Sequence, residues 1–161
     1  MATVICSPDP IPCNTQIKVF LAGSIDMGMA DDWQSYVVNQ LEQNQLILLN
    51  PRRDDWKPEW NVNPQNPEFL RQVNWEMDAM DEANLIIMNL SKESQAPISL
   101  LELGLHAHSG KLIVFCNKDF WRYGNVFAVC DRYGIPLVKS LNELIGFVKK
   151  HLCTRTSISD L

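Results

Sequence analysis

Four short runs in this chain are apolar almost throughout: Ile17-Lys18-Val19-Phe20-Leu21-Ala22, Leu46-Ile47-Leu48-Leu49, Leu85-Ile86-Ile87-Met88 and Leu112-Ile113-Val114-Phe115. A strand with one face in water alternates apolar and polar residues; a strand covered on both faces need not. Between the runs lie stretches with helical spacing, most clearly Phe69, Leu70, Val73, Met77 and Met80 within Glu68 to Glu82. Such strands alternating with helices predict a parallel sheet with helices on both faces. A short fifth strand is expected at Pro136-Leu137-Val138. The fold class is therefore α/β: a doubly wound, flavodoxin-like, five-stranded parallel sheet.

At 161 residues the chain fits a single domain. Residues 1–15, with Pro8, Pro10 and Pro12, read as an irregular N-terminal arm, and the polar residues 152–161 as a loose tail. Asp31 or Asp32 can cap a helix from Trp33 to about Glu42. Further helices are expected near Val126 to Arg132 and from Leu141 to His151. Arg52 to Pro67, rich in proline and carrying Trp56 and Trp60, reads as a long loop, and such loops are usually functional. Ligands of open parallel sheets bind beyond the carboxyl ends of the strands. The loops Gly23 to Ala30, Asn50 to Asn66 and Asn89 to Ala96 converge there.

Composition narrows the function. A net charge of -5 with no basic run argues against nucleic acid and anionic membranes as partners. No apolar stretch approaches the length of a bilayer span, and the first residues lack the basic and apolar regions of a secretory leader. Cys6, Cys13, Cys116, Cys130 and Cys153 form neither a CxxC nor a zinc spacing, which fits a reducing cytoplasm. His106 and His108, two residues apart on a helix, face different sides. Neither a metal nor a cofactor is expected.

The residue that points to chemistry is Glu102, in Ser99-Leu100-Leu101-Glu102-Leu103-Gly104-Leu105-His106, a stretch that otherwise reads as a buried helix. A carboxylate there is costly to keep charged, and buried acids with shifted pKa values cluster at functional sites. The plainer alternative is a first-turn glutamate favoured by the helix dipole behind Pro97. Four pieces stand in order along the chain: Phe20-Leu21-Ala22-Gly23-Ser24, Asn74-Trp75-Glu76-Met77-Asp78, Leu101-Glu102-Leu103-Gly104 and Gly124-Asn125-Val126. Together they resemble the nucleoside 2-deoxyribosyltransferase family, in particular its branch with Asn50-Pro51-Arg52-Arg53 after the second strand. The resemblance runs from Val19 to Leu144 and is most specific at Glu102-Leu103-Gly104 followed by Ser109-Gly110-Lys111.

The resemblance implies a flavodoxin-like fold and homo-oligomers whose active sites are completed by a neighbouring subunit. It implies 2'-deoxynucleosides and free nucleobases as partners. Under it Glu102 is the nucleophile, and Glu76 matches an acid, usually aspartate, near the deoxyribose. Asn125 matches an asparagine lent across subunits to the sugar's 5'-hydroxyl, while Gly23 and Ser24 form the turn beside the sugar. Two positions depart from the pattern. Phe20 stands where many relatives place a tyrosine touching the nucleophilic carboxylate, and Ala96 where others place an aspartate that handles the base. Base recognition and protonation then fall to Asp54, Asp55, Asp78 or a water. Glu76 and Asp78 project about 200° apart on a helix, so only one can face the pocket.

The implied reaction is a retaining double displacement through a glycosyl ester of Glu102. Hydrolysis of deoxynucleosides or their monophosphates, and a non-catalytic nucleoside-sensing module, are the alternatives. The loop Gly23 to Asp32 carries Asp26, Asp31 and Asp32 and no base, which favours nucleosides over phosphorylated substrates. Arg52 and Arg53 read as a solvated pair or as anchors for Asp54, Asp55 or Glu76. Trp56 and Trp60 can stack on a base or anchor the loop.

Overall fold

The computed structural model describes residues 1–25, 32–57, 59–60 and 63–156. Its elements run β1 (Thr3–Cys6), β2 (Lys18–Gly23), α1 (Trp33–Leu41), β3 (Ile47–Asn50), α2 (Pro67–Glu82), β4 (Leu85–Leu90), α3 (Pro97–His106), β5 (Leu112–Cys116), α4 (Tyr123–Tyr133), β6 (Leu137–Val138) and α5 (Leu141–Thr156). The strands form one sheet in the order β1-β3-β2-β4-β5-β6, and every pairing is parallel. Apart from β1, this is the flavodoxin order, and the direction of winding switches between β2 and β4.

The alternation along each strand feeds two cores. Val19 and Leu21 of β2 pack with Trp33, Val37 and Leu41 of α1 and Leu144 and Val148 of α5. Phe20 and Ala22 point the other way, into a core with Trp75 and Ala79 of α2, Leu103 of α3 and Val126 of α4. Helix starts follow local chemistry. The Asp32 carboxylate accepts the Ser35 N–H at 3.1 Å to cap α1, whereas Asp31 lies outside the described residues. Asn66 caps α2 by accepting from Glu68 and Phe69, and Pro67 and Pro97 begin α2 and α3.

Both termini differ from expectation. The sheet has six strands rather than five because β1 lies within the segment expected to be irregular. Its register, Thr3 opposite Ile47 through Cys6 opposite Asn50, makes it an edge strand in which only Ile5 is partly buried. The run Thr3-Val4-Ile5-Cys6 is short, and the prolines that follow it cannot donate to a ladder. Beyond Cys6 the arm crosses the carboxyl end of β3 and docks on α2. There Ser7 Oγ donates to Gln72 Oε1 at 2.5 Å, and the Trp75 indole N–H donates to the Asp9 carbonyl at 2.7 Å. At the other end α5 continues past His151 to Thr156, so residues 152–156 are helical rather than loose. Leu152 extends the stripe of Leu144, Ile145 and Val148 against the core, which carries the helix onward.

Gly23 ends β2 opposite Asn89 of β4, at the switch point. Its φ is +134°, and a Cβ there would collide with the backbone of Asn89. Gly23→Ala is expected to destabilise the fold by about 3 kcal/mol or more, through strain and backbone collision together. Urea denaturation of the variant against the parent measures this.

Candidate active site

Helix α3 turns its acid inward and its large aliphatics outward. Ser99, Glu102 and Leu103 are its buried residues, whereas Ile98, Leu101 and Leu105 are 59%, 59% and 62% exposed. The helix is therefore not buried all round, as its sequence reads. Glu102 itself is only 7% exposed. On the neighbouring helix, Glu76 lies within the buried face of α2 formed by Gln72, Trp75, Ala79 and Met80. Among the described residues neither carboxyl has an ion-pair partner. Glu102 receives no hydrogen bond from them either. Glu76 receives one, from Gln72 Nε2 to its Oε1 at 2.8 Å.

The electrostatics follow from that geometry. Burial, reinforced by repulsion from Glu76, pushes Glu102 up to about 8. Burial pushes Glu76 up to about 7, while the Gln72 hydrogen bond opposes the rise. Two interacting carboxyls titrate as a pair. Near neutral pH this pair retains a proton, so it can offer one neutral and one ionised group.

Gln72 is the residue that sequence reasoning missed. Its amide donates to the Pro51 carbonyl at 2.8 Å as well as to Glu76, and its carbonyl accepts from Ser7. One side chain thus ties the N-terminal arm, the loop after β3 and the acid together. The available signal was its four-residue spacing from Glu76 on the buried face of one helix.

The other expected site residues are dispersed. Phe20 is fully buried with its ring 6.4 Å from that of Trp75. Ser24, also buried, accepts the Ser91 N–H on Oγ at 3.2 Å, while its backbone N–H donates to Asn89 and its carbonyl accepts from the Trp33 indole. Asp78 is exposed on the opposite side of α2 from the buried face. Asp54 and Asp55 are exposed in the loop after β3. Asp55 takes two hydrogen bonds from Arg53, at 2.9 and 2.8 Å, and these hold its carboxyl below the usual range. Arg53 also pairs with Glu68 at 3.1 Å and lies 5.9 and 5.4 Å from the rings of Trp56 and Trp60. Arginine and tryptophans together anchor this loop. Arg52 stands 3.7 Å from Asp32. Asn125 is exposed in the first turn of α4, in a cleft of about 320 Å³ that it shares with Leu103 and Gly104 of α3 and with Trp121. Among the described residues no cluster of His, Cys, Asp and Glu could hold a metal ion, and no helix is long and apolar enough to cross a membrane.

A doubly wound parallel sheet with two buried acids on adjacent helices defines the class: an α/β protein with a carboxyl pair near the strand ends. Residues 16–120 match the family described as nucleoside 2-deoxyribosyltransferase like, and the chain belongs to that family. The match includes Glu76 and Glu102 and stops short of Asn125. No curated protein sequence matches the chain. Among solved structures, the chain is similar to a conserved protein from Enterococcus faecalis V583, with 12% identity, 86% of this chain and 100% of that chain covered, and a TM-score of 0.63. At that identity the likeness establishes the fold alone.

The carboxyl pair makes stability depend on pH. Both groups bind protons more tightly when folded than when unfolded, so their burial costs nothing below about pH 4.5. The penalty builds as pH rises above about 4.5 and levels off once the folded groups ionise, above about 7 and 8. Glu102→Gln is expected to raise stability by about 2–4 kcal/mol at pH 9 and to change it little at pH 4. Denaturant unfolding at the two pH values checks the sign.

Proposed function

We propose that the protein transfers 2'-deoxyribose between nucleobases through a covalent intermediate on Glu102. The observation that carries this reading is the buried pair of Glu102 and Glu76, without an ion-pair partner among the described residues and with Glu76 held by Gln72, within a family of nucleoside 2-deoxyribosyltransferase-like proteins. In the ionised state a Glu102 oxygen attacks C1' from the face opposite the base. The C1'–O ester forms, the C1'–N bond breaks, and its electron pair leaves with the base, which takes up a proton. A second base then attacks C1' and regenerates the Glu102 carboxylate. Two inversions give retention. Glu76 sets how the pair shares its proton. Asp55 is held ionised by Arg53 and Asp78 faces away, which leaves Asp54 or a water to protonate the departing base.

In the loop Asn50-Pro51-Arg52-Arg53, the Pro51 carbonyl anchors the side chain that holds Glu76. The acids of the turn after β2 favour nucleosides over monophosphates; Asp26 and Asp31 lie outside the described residues, and Asp32 caps α1. The buried thiols of Cys116 and Cys130, pushed up to about 12 and 11, fit a reducing cytoplasm.

In this reading the active unit is a homo-oligomer. Ile98, Leu101 and Leu105 form an exposed stripe at i, i+3 and i+7 on α3. Contiguous apolar surface of this kind marks an interface. A second copy covering this face would bring its own Asn125 cleft to the boundary between subunits.

Incubation with deoxyinosine and free adenine is expected to yield deoxyadenosine and hypoxanthine. Hypoxanthine alone would establish the hydrolase instead, and neither product would point to a sensing module. Glu102→Gln is expected to lower kcat at least about 1,000-fold with the fold intact; a variant of near-parental activity removes the nucleophile assignment. The double variant Leu101→Glu, Leu105→Glu is expected to sediment as a monomer where the parent sediments as an oligomer. A parent that is itself monomeric refutes the shared site.

A further inference from the structure

The hydrogen bonds around Gln72 admit one orientation of its amide. The Pro51 carbonyl can only accept, so the group 2.8 Å from it is the Gln72 NH2. The second N–H of that group donates to Glu76 Oε1, also at 2.8 Å. An amide oxygen can only accept, so Ser7 Oγ, 2.5 Å from Gln72 Oε1, is the donor there. A flipped amide would set its oxygen against two other acceptors. Ser7 and Gln72 are each 6% exposed, so water does not compete for these bonds.

The consequence falls on Glu76. Its Oε1 faces a donor whether the carboxyl is charged or neutral, so the proton of the neutral form sits on Oε2. Ser7, at the far end of this relay, lies outside residues 16–120 that match the family. Strand β1 delivers it: Cys6 pairs with Asn50 in the sheet, and the Ser7 N–H then donates to the Asn50 carbonyl at 3.0 Å. On its other side the arm is fastened to α2 by the bond from the Trp75 indole to the Asp9 carbonyl, one residue before Glu76. Ser7 is thus held from both directions. Without its hydroxyl, Gln72 Oε1 becomes a buried acceptor with no partner, and the amide loses what holds its oxygen side.

We infer that Ser7 is a positioning residue: through Gln72 it fixes Oε1 of Glu76 as an acceptor and leaves Oε2 to carry the proton of the carboxyl pair. Its bearing on catalysis rests on the proposed transfer reaction, whereas the relay itself does not. The ionisable group acting on the pair from α3 is Glu102. In the arm and the loop after β3, Asp9 and Asp54 act on the Cys6 thiol, and Asp78 faces away on α2.

Threonine and valine share a shape, so Ser7→Thr and Ser7→Val separate the hydroxyl from the bulk around it. Ser7→Ala removes the oxygen without adding volume. The full-length protein, with ¹³C in its glutamate carboxyls and ¹⁵N in its glutamine amides, is titrated by NMR without substrate. In the parent the Gln72 NH2 resonances are expected to move with the same midpoint as the Glu76 carboxyl. Gln72→Met is expected to raise that midpoint by about one pH unit, because the bond that favours the ionised form is gone. Ser7→Ala and Ser7→Val are expected to raise it by about half as much, and Ser7→Thr to restore the parental value. A role in folding alone would lower stability in urea and leave the midpoint in place. A parental midpoint in both Ser7→Ala and Ser7→Val overturns the inference. So does an equal rise in Ser7→Thr, or a Gln72 amide that ignores the titration of Glu76. The expected midpoints together with no turnover of deoxyinosine and adenine would remove the transfer reading and keep the relay.

Discussion

A carboxyl group removed from water and set beside a second one can be stabilised by a cation or by keeping a proton. Among the described residues no lysine or arginine pairs with either Glu102 or Glu76, and both are pushed upward. The surrounding structure is organised around that choice. Helix α3 is rotated so that its acid, not its leucines, faces inward. Helix α2 places Gln72 one turn before Glu76, so that the amide supports the ionised form enough to keep it accessible near neutral pH. The N-terminal arm completes the set, because Ser7 and the Pro51 carbonyl together orient Gln72. The edge strand β1 is thus more than an addition to the sheet: its pairing with β3 delivers Ser7 to the acid's support.

The central sheet was legible because strands covered on both faces are apolar throughout, and β2 to β5 announce themselves that way. Strand β1 was not, since its four residues Thr3-Val4-Ile5-Cys6 make a short run and the three prolines that follow argue for irregularity. The end of α5 was misread for a related reason: Leu152 is its last core contact, and the polar residues around it outweigh one leucine in a short window. At the site, Glu102 was legible as an acid out of place in an apolar run. The direction of α3 was not, because Ile98, Leu101 and Leu105 read as core and are exposed. Periodicity gives the stripe but not which side of the helix faces the core. Gln72 escaped because a lone glutamine carries no chemical signature of its own; its role exists only through three partners distant in sequence.

The two departures from the family pattern differ in consequence. Phe20 lacks a hydroxyl, yet its ring fills core volume against Trp75 and is fully buried, so what is lost is a donor and not the packing. Ala96 is a more demanding case. It precedes Pro97, directly before α3, and adopts φ +41°, ψ +50°, a left-handed conformation that alanine adopts at a cost of roughly 1–2 kcal/mol. An aspartate, which the resemblance places here, tolerates that conformation better because its short polar side chain can bond locally. The turn sets where α3 begins, with the Ala96 carbonyl accepting the Leu100 N–H at 3.1 Å. The starting point fixes the phase of every later residue at 100° per step, so relaxing Ala96 would rotate Glu102 away from Glu76. The strain at Ala96 and the aim of Glu102 are one constraint, and a domain stabilised by only several kcal/mol retains such strain where the surrounding structure over-determines it.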